Sequence, residues 1–221
     1  MTNQQKDQYM TNDYQREQLE ALDQITVKIG SIQSIHSGNL CRDIRSYQLF
    51  RQQLESFQSQ HFGRYCTQTC FENRTSACCS KDGIITFWAD VVINVYHSSD
   101  NQIKELRAAI QKPLSSQKCI YLGKNGCLWK IRPIGCALFL CDRVQVDVLE
   151  QHPELRRQWQ HYTTTGRSYR WPDRPVLFDH LEQVFMAAGC RSPLMYLNTS
   201  PGLLRIKQKA GLYRLSDIKR L

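Results

Sequence analysis

With 221 residues, 41% of them hydrophobic and 10% aromatic, the chain can pack a core unaided, unlike small domains that fold only around zinc. Its formal net charge is +9, and most of the excess falls beyond residue 152, where twelve Lys and Arg face five Asp and Glu. The first twenty residues are polar, with no apolar signal-peptide core, and no stretch approaches a membrane span; the expected setting is the cytoplasm, with no membrane partner.

Residues 1–12 read as frayed. Asp13 is placed to cap a helix running to about Ile35, with Leu19, Leu22, Ile25, Ile29 and Ile32 at three- and four-residue steps. Ser37-Gly38-Asn39 breaks it, and a second helix over 40–59 puts Leu40, Ile44, Tyr47, Leu54 and Phe57 on one face. The two form a helical hairpin expected to pack on the rest of the protein, their apolar stripe being too short for a coiled coil. Lys81-Asp82-Gly83 signals a turn before a β-like run, Ile84–Phe87. Trp88–Tyr96 suits a helix, and Asp100 or Asn101 would cap another that Pro113 ends. Residues 119–141, punctuated by Gly123, Gly126, Pro133 and Gly135, read as backbone that wraps rather than forming long elements. A helix is expected over 153–163, a loop over 164–175, and a helix from Pro175 to Ala188 stopped by Gly189. The tail from Met195 suits a small hairpin around 198–202. The expected fold class is mainly α with minor β. It divides into an N-terminal helical hairpin (1–61), a cysteine-rich part (62–145) and a basic C-terminal extension (146–221), packed as one unit.

Eight of the ten cysteines fall in two groups: Cys66, Cys70, Cys78 and Cys79, then Cys119, Cys127, Cys136 and Cys141; Cys41 and Cys190 stand apart. In a reducing compartment such grouping argues for metal or redox work rather than structural disulfides. Thiolates are soft ligands for zinc or for an iron–sulfur cluster such as 4Fe-4S. Eight are enough for two four-ligand sites, or for one site with thiols to spare. Cys66-x3-Cys70 and Cys136-x4-Cys141 let two sulfurs of one turn or loop face a common centre, whereas the adjacent pair Cys78-Cys79 suits two sites or one ligand and one packed thiol. The spacing is neither a pair of zinc-ribbon knuckles nor a bacterial ferredoxin run, and nothing matches covalent haem attachment.

The adjacent pair followed by a turn, Ile84-Ile85-Thr86 and Asp90, and then C-IYLGKNG-C-LWKIRP-IG-C, resemble the YkgJ-like cysteine-cluster family over about residues 62–145. The resemblance implies zinc or iron chelation through the eight positions named above. The sequence departs from the family in a wider first group, with seven residues between Cys70 and Cys78, and in Ala137 after Cys136, where an Arg is common. A related pattern in flagellin lysine methylases, where an iron–sulfur cluster is implied, makes an iron–sulfur-dependent enzyme acting on a protein or small substrate the alternative. No glycine-rich nucleotide loop or base–nucleophile pair accompanies it here.

Other residues carry a sharper and a plainer reading. His61 and His97 flank the first group, but with so many thiols present ordinary core or surface histidines are expected. Asp82 and Asp90 would orient ligands, or simply form a turn and a helix surface. Arg132 would donate to thiolate sulfur, or carry a surface charge. Trp88 and Trp129 would shield a centre from water, or fill the core. Arg167, Arg170, Arg174, Arg205, Lys207 and Lys209, interleaved with Tyr169 and Trp171, offer a basic surface for an acidic or redox protein partner. A zinc protein binding nucleic acid there is the less favoured alternative, since no RNA-binding motif is present.

Overall fold

A computed structural model describes residues 3–72, 86–113, 119–170 and 176–196; of residues 3–12 and 69–71 it describes the backbone alone. The fold is mainly helical with a small two-stranded sheet, as the sequence predicts. Helix α1 spans Asn3–Lys28. It starts ten residues before Asp13, so Asp13 is no cap; it lies inside the helix and pairs with Arg16 at 2.8 Å. The β-branched and glycine-containing stretch around Ile29 ends α1 in a 3-10 turn, Ile29–Ser31. A single-turn helix α2, Gln33–His36, follows. The predicted apolar spacing survives this break, and Leu22, Ile25, Ile32 and Ile35 are all buried.

Helix α3, Gly38–Tyr65, buries Leu40, Ile44, Tyr47, Leu54 and Phe57. It runs past the predicted end at 59 into a π-helical turn, Cys66–Phe71, which contains Cys66 and Cys70. Helix α4, Trp88–His97, is the centre of the molecule: every residue from Trp88 to Val95 is buried, as expected of a helix apolar on all sides. Helix α5, Asp100–Ile110, is capped by Ser99, whose hydroxyl accepts from the Gln102 N–H while the Gln102 side chain accepts from the Ser99 N–H. The cap is thus one residue earlier than Asp100. Helix α1 packs on α4 and α5, whereas α3 packs on α2 and α9. Both long N-terminal helices therefore join the common core. Gln15 strengthens the first contact by donating to the Ile110 and Lys112 carbonyls at 2.6 Å each.

Strands β1, Leu122–Gly123, and β2, Gly126–Cys127, pair antiparallel across Lys124-Asn125. Gly126 has φ 110°, a value that L side chains rarely adopt. Short helices α6, Ile134–Ala137, and α7, Asp142–Val144, lead into a π-helical turn, Gln145–Leu149. Helix α8, Pro153–Arg167, extends four residues beyond its predicted end and enters the expected loop. Helix α9, Leu177–Ala187, buries Leu177, Phe178, Leu181 and Phe185 and is followed by Gly189 at φ 88°. One apolar cluster joins residues from Ala21 to Tyr196. No helix among the described residues is long and apolar enough to cross a membrane. The predicted β-run at Ile84-Ile85, Pro175 and most of the predicted C-terminal hairpin lie outside the described residues.

Candidate metal centre

The second cysteine group is laid against α4 by two buried polar side chains and against α3 by a half-buried one. Asp90, only 3% exposed, accepts the Ile134 N–H at 2.9 Å through Oδ1 and the Phe87 N–H at 3.1 Å through Oδ2. One helical turn later Asn94 accepts the Ile131 N–H at 3.1 Å. From α3, Gln58 donates to the Ala137 carbonyl at 2.7 Å and accepts from Arg132 at 2.7 Å. Residues 131–137, which carry Cys136, are therefore held on two sides. Asp90 is not the surface residue of its plainer reading, and Arg132 is bonded to Gln58. Burial raises Asp90 to about 6, opposed by the two backbone N–H groups and the positive charges of Arg51 and Arg170.

Around the sulfurs the local backbone is specific. The Leu122 N–H donates to the Cys119 carbonyl at 3.1 Å. Together with the Tyr121 N–H it lies near enough to the Cys119 sulfur to favour the thiolate, as the Trp129 N–H does for Cys127. Burial nevertheless pushes the Cys119 thiol up to about 11, and the neighbouring Cys127 and Cys136 push in the same direction. Cys127 is exposed as a residue, yet protein packed about its sulfur raises its thiol, against the pull of Trp129 N–H and Arg132. Cys127 and Cys136 thus both lie within electrostatic range of Cys119. Crowded thiols resist ionising together, and a bound soft cation reverses that by deprotonating them.

Cys66 follows directly on the end of α3. Tyr65, directly before Cys66, donates to Asp147 beyond Cys141, and Tyr65 lies within electrostatic range of Cys141. The Cys70 side chain, Cys78 and Cys79 are outside the described residues. Among the described residues, no three His, Cys, Asp or Glu side chains converge to hold a metal ion. The donor chemistry at Cys119, Cys127 and Cys136 suits a soft metal.

His61 packs its ring on Phe57 at 4.8 Å. His97 is lowered by burial and by Lys130, and its Nε2 is buried without a hydrogen-bond partner. Trp88 and Trp129 are core residues; Trp129 packs edge-on against Tyr121 at 5.4 Å. In the basic region, Tyr169 stacks on Phe50 at 5.4 Å and bonds Ser46, so its ring is already engaged. Arg170 lies within electrostatic range of buried Asp90. Asp82, Trp171, Arg174, Arg205, Lys207 and Lys209 are outside the described residues. Cys41 and Cys190 are buried singly. Gln58 and Asn94 escaped sequence reasoning. Asn94 had a signal, since Asp90 and Asn94 are the two polar residues of Trp88–Val95 and stand one helical turn apart; Gln58 had none.

Comparison with known proteins finds no matching family model, no matching curated protein and no matching solved structure.

Proposed function

We propose that this chain is a cytoplasmic metal-binding protein of the YkgJ-like kind, holding zinc or an iron–sulfur cluster through Cys66, Cys70, Cys78, Cys79, Cys119, Cys127, Cys136 and Cys141. The observation that carries the reading is the setting of Cys119 and Cys127. Backbone N–H groups lie near both sulfurs and favour their ionised forms, a setting that suits thiolates. Cys136 lies within electrostatic range of Cys119, on a loop fixed by Asp90, Asn94 and Gln58. A cluster would supply one-electron transfer, with an acidic redox protein as its partner; zinc would supply a cross-link between the two cysteine groups.

Anaerobic purification followed by metal and acid-labile sulfide analysis tests this. Iron with sulfide in a brown protein assigns a cluster, and stoichiometric zinc in a colourless protein assigns zinc. A metal-free protein that takes up neither on reconstitution overturns the reading.

A further inference from the structure

Helix α8 turns a cationic face outward. Its inner side is fixed by the core: Trp159 stacks on Phe57 and meets Phe62 edge-on, Tyr162 lies 5.1 Å from the Phe57 ring, and Gly166 faces Leu138. At about 100° per residue, Arg156, Gln160 and Arg167 align along one edge of the outer side, with Arg157 and Thr164 beside them. All five are exposed. The stripe is about 16 Å long. From Leu155 to Arg170 there is no Asp or Glu. Among the described residues Arg157 and Arg167 form no ion pair, Arg156 reaches Glu150 only at 3.9 Å, and Glu154 is met by His152 at 3.5 Å. Arg167 stands in the last turn, where the helix dipole favours a cation. Arg156 and Arg157 stand at the end of the first turn, where the dipole opposes one, so their charges add to the positive field of the helix N-terminus. An anion docked across them relieves that repulsion.

What the stripe lacks selects the anion. A protein interface is built around apolar and aromatic anchors. Single strands are held by exposed aromatic rings, and a helix lying on a membrane needs an exposed apolar face. The stripe carries no apolar side chain, and the Trp159 and Tyr162 rings are turned to the core. Arg, Gln and Thr are side chains that hold phosphate oxygens. We propose that the outer face of α8 docks the phosphate backbone of a nucleic-acid duplex through Arg156, Arg157 and Arg167, with Gln160 and Thr164 between them, without reading its sequence. This surface shares only Arg167 with the basic stretch singled out from the sequence, and the inference stands apart from the metal reading.

The test titrates the full-length chain into short fluorescent duplexes of arbitrary sequence, one DNA and one RNA, and follows anisotropy across a salt series. Each phosphate contact adds about 0.9 to the slope of log affinity against log salt, so three arginines account for about 3. The variant Arg156→Gln/Arg157→Gln/Arg167→Gln should bind at least about tenfold more weakly, with a slope shallower by about 3 and wild-type circular dichroism. The charge-matched variant Arg205→Gln/Lys207→Gln/Lys209→Gln should lose less. Should the α8 variant lose its native circular dichroism, Arg157→Gln alone decides, with a slope shallower by about 1. Wild type that binds neither duplex overturns the inference, as does an α8 variant with affinity and slope unchanged. Polyglutamate that displaces the duplex at equal charge assigns the stripe to an acidic protein and overturns it too. Metal content is unaffected by any of these outcomes.

Discussion

Helices α4 and α9 use an aspartate in the same place to different ends. Each is the third residue of its helix, and each takes the N–H of the residue before the helix: Asp90 from Phe87, and Asp179 from Val176 at 3.4 Å. Each carboxylate sits where the helix dipole favours a negative charge. The second oxygen then reaches a distant segment. Asp90 takes the backbone N–H of Ile134, and Asp179 takes the hydroxyl of Tyr196. One turn further, Asn94 takes the Ile131 N–H and Glu182 the Tyr196 N–H at 2.9 Å. Helix α4 thus holds the cysteine loop through main-chain groups, whatever side chains the loop carries. Helix α9 holds the 190–196 turn partly through one particular side chain. The cysteine loop keeps its course while its side chains are left for chemistry; the turn is locked by the tyrosine that fills it.

The largest expected effect breaks the α4 side. Asp90→Ala strands two buried N–H groups, each costing about 1–3 kcal/mol, so denaturant unfolding should show a loss of about 2–6 kcal/mol. Hydrogen exchange should quicken in 131–137 before it does in 190–196. A loss below about 1 kcal/mol would mean that packing, not Asp90, holds the loop.

The same carboxylate carries a pH signature. Its folded-state value of about 6 lies above the 3.8 of a free aspartate, because of burial. The folded protein therefore binds the extra proton between these values, and the contribution to stability is greatest below about pH 4. It declines as pH rises through about 6, by up to about 3 kcal/mol. Unfolding curves from pH 4 to 7 should show this falling component in wild type and not in Asp90→Asn. Parallel pH profiles of the two proteins would contradict the assignment.

What the sequence discloses follows from how each element is built. The apolar stripe of α3, the apolar residues of α4 on either side of Asp90 and Asn94, and the Gly189 stop of α9 are readable from residue type and spacing. The break after Lys28 is hidden because Ile29, Ile32 and Ile35 keep a three-residue step straight through a 3-10 turn. The cysteines are legible as a group from spacing alone. The residues around them are not, since Gln58, Gln18 and Tyr14 stand in polar stretches that read as solvent-facing. Only tertiary contact turns those side chains inward. The hairpin Leu122–Cys127 is too short for a strand pattern; its one cue is Asn125-Gly126.

On the α9 side, Tyr196→Phe removes the hydroxyl bonded to Asp179 and keeps the Tyr196 N–H on Glu182. Removing one partner of a buried hydrogen bond costs about 1–3 kcal/mol, so a loss near 2 kcal/mol is expected. Faster exchange should be confined to 190–196. Because the Trp88 N–H also donates to the Leu194 carbonyl at 3.0 Å, the two segments meet at the start of α4. If exchange in 131–137 quickens equally, the two ties form one cooperative unit.

The smallest effect concerns packing on the cysteine loop. Gly166 of α8 lies so close that a β-carbon would stand 2.6 Å from Leu138 Cδ1 and 3.5 Å from Phe50 Cζ. Leu138 follows Ala137 directly, so α8 presses on the loop that α3 and α4 hold. The nearest atom is the end of a flexible side chain, and an alanine also improves helix propensity by about 0.5–1 kcal/mol. Gly166→Ala should therefore stay within about 1 kcal/mol of wild type, with exchange in 131–137 unchanged. A loss above about 2 kcal/mol would show that the loop depends on a close fit against α8, and the contrast drawn between its main-chain ties and the side-chain lock at Tyr196 would narrow.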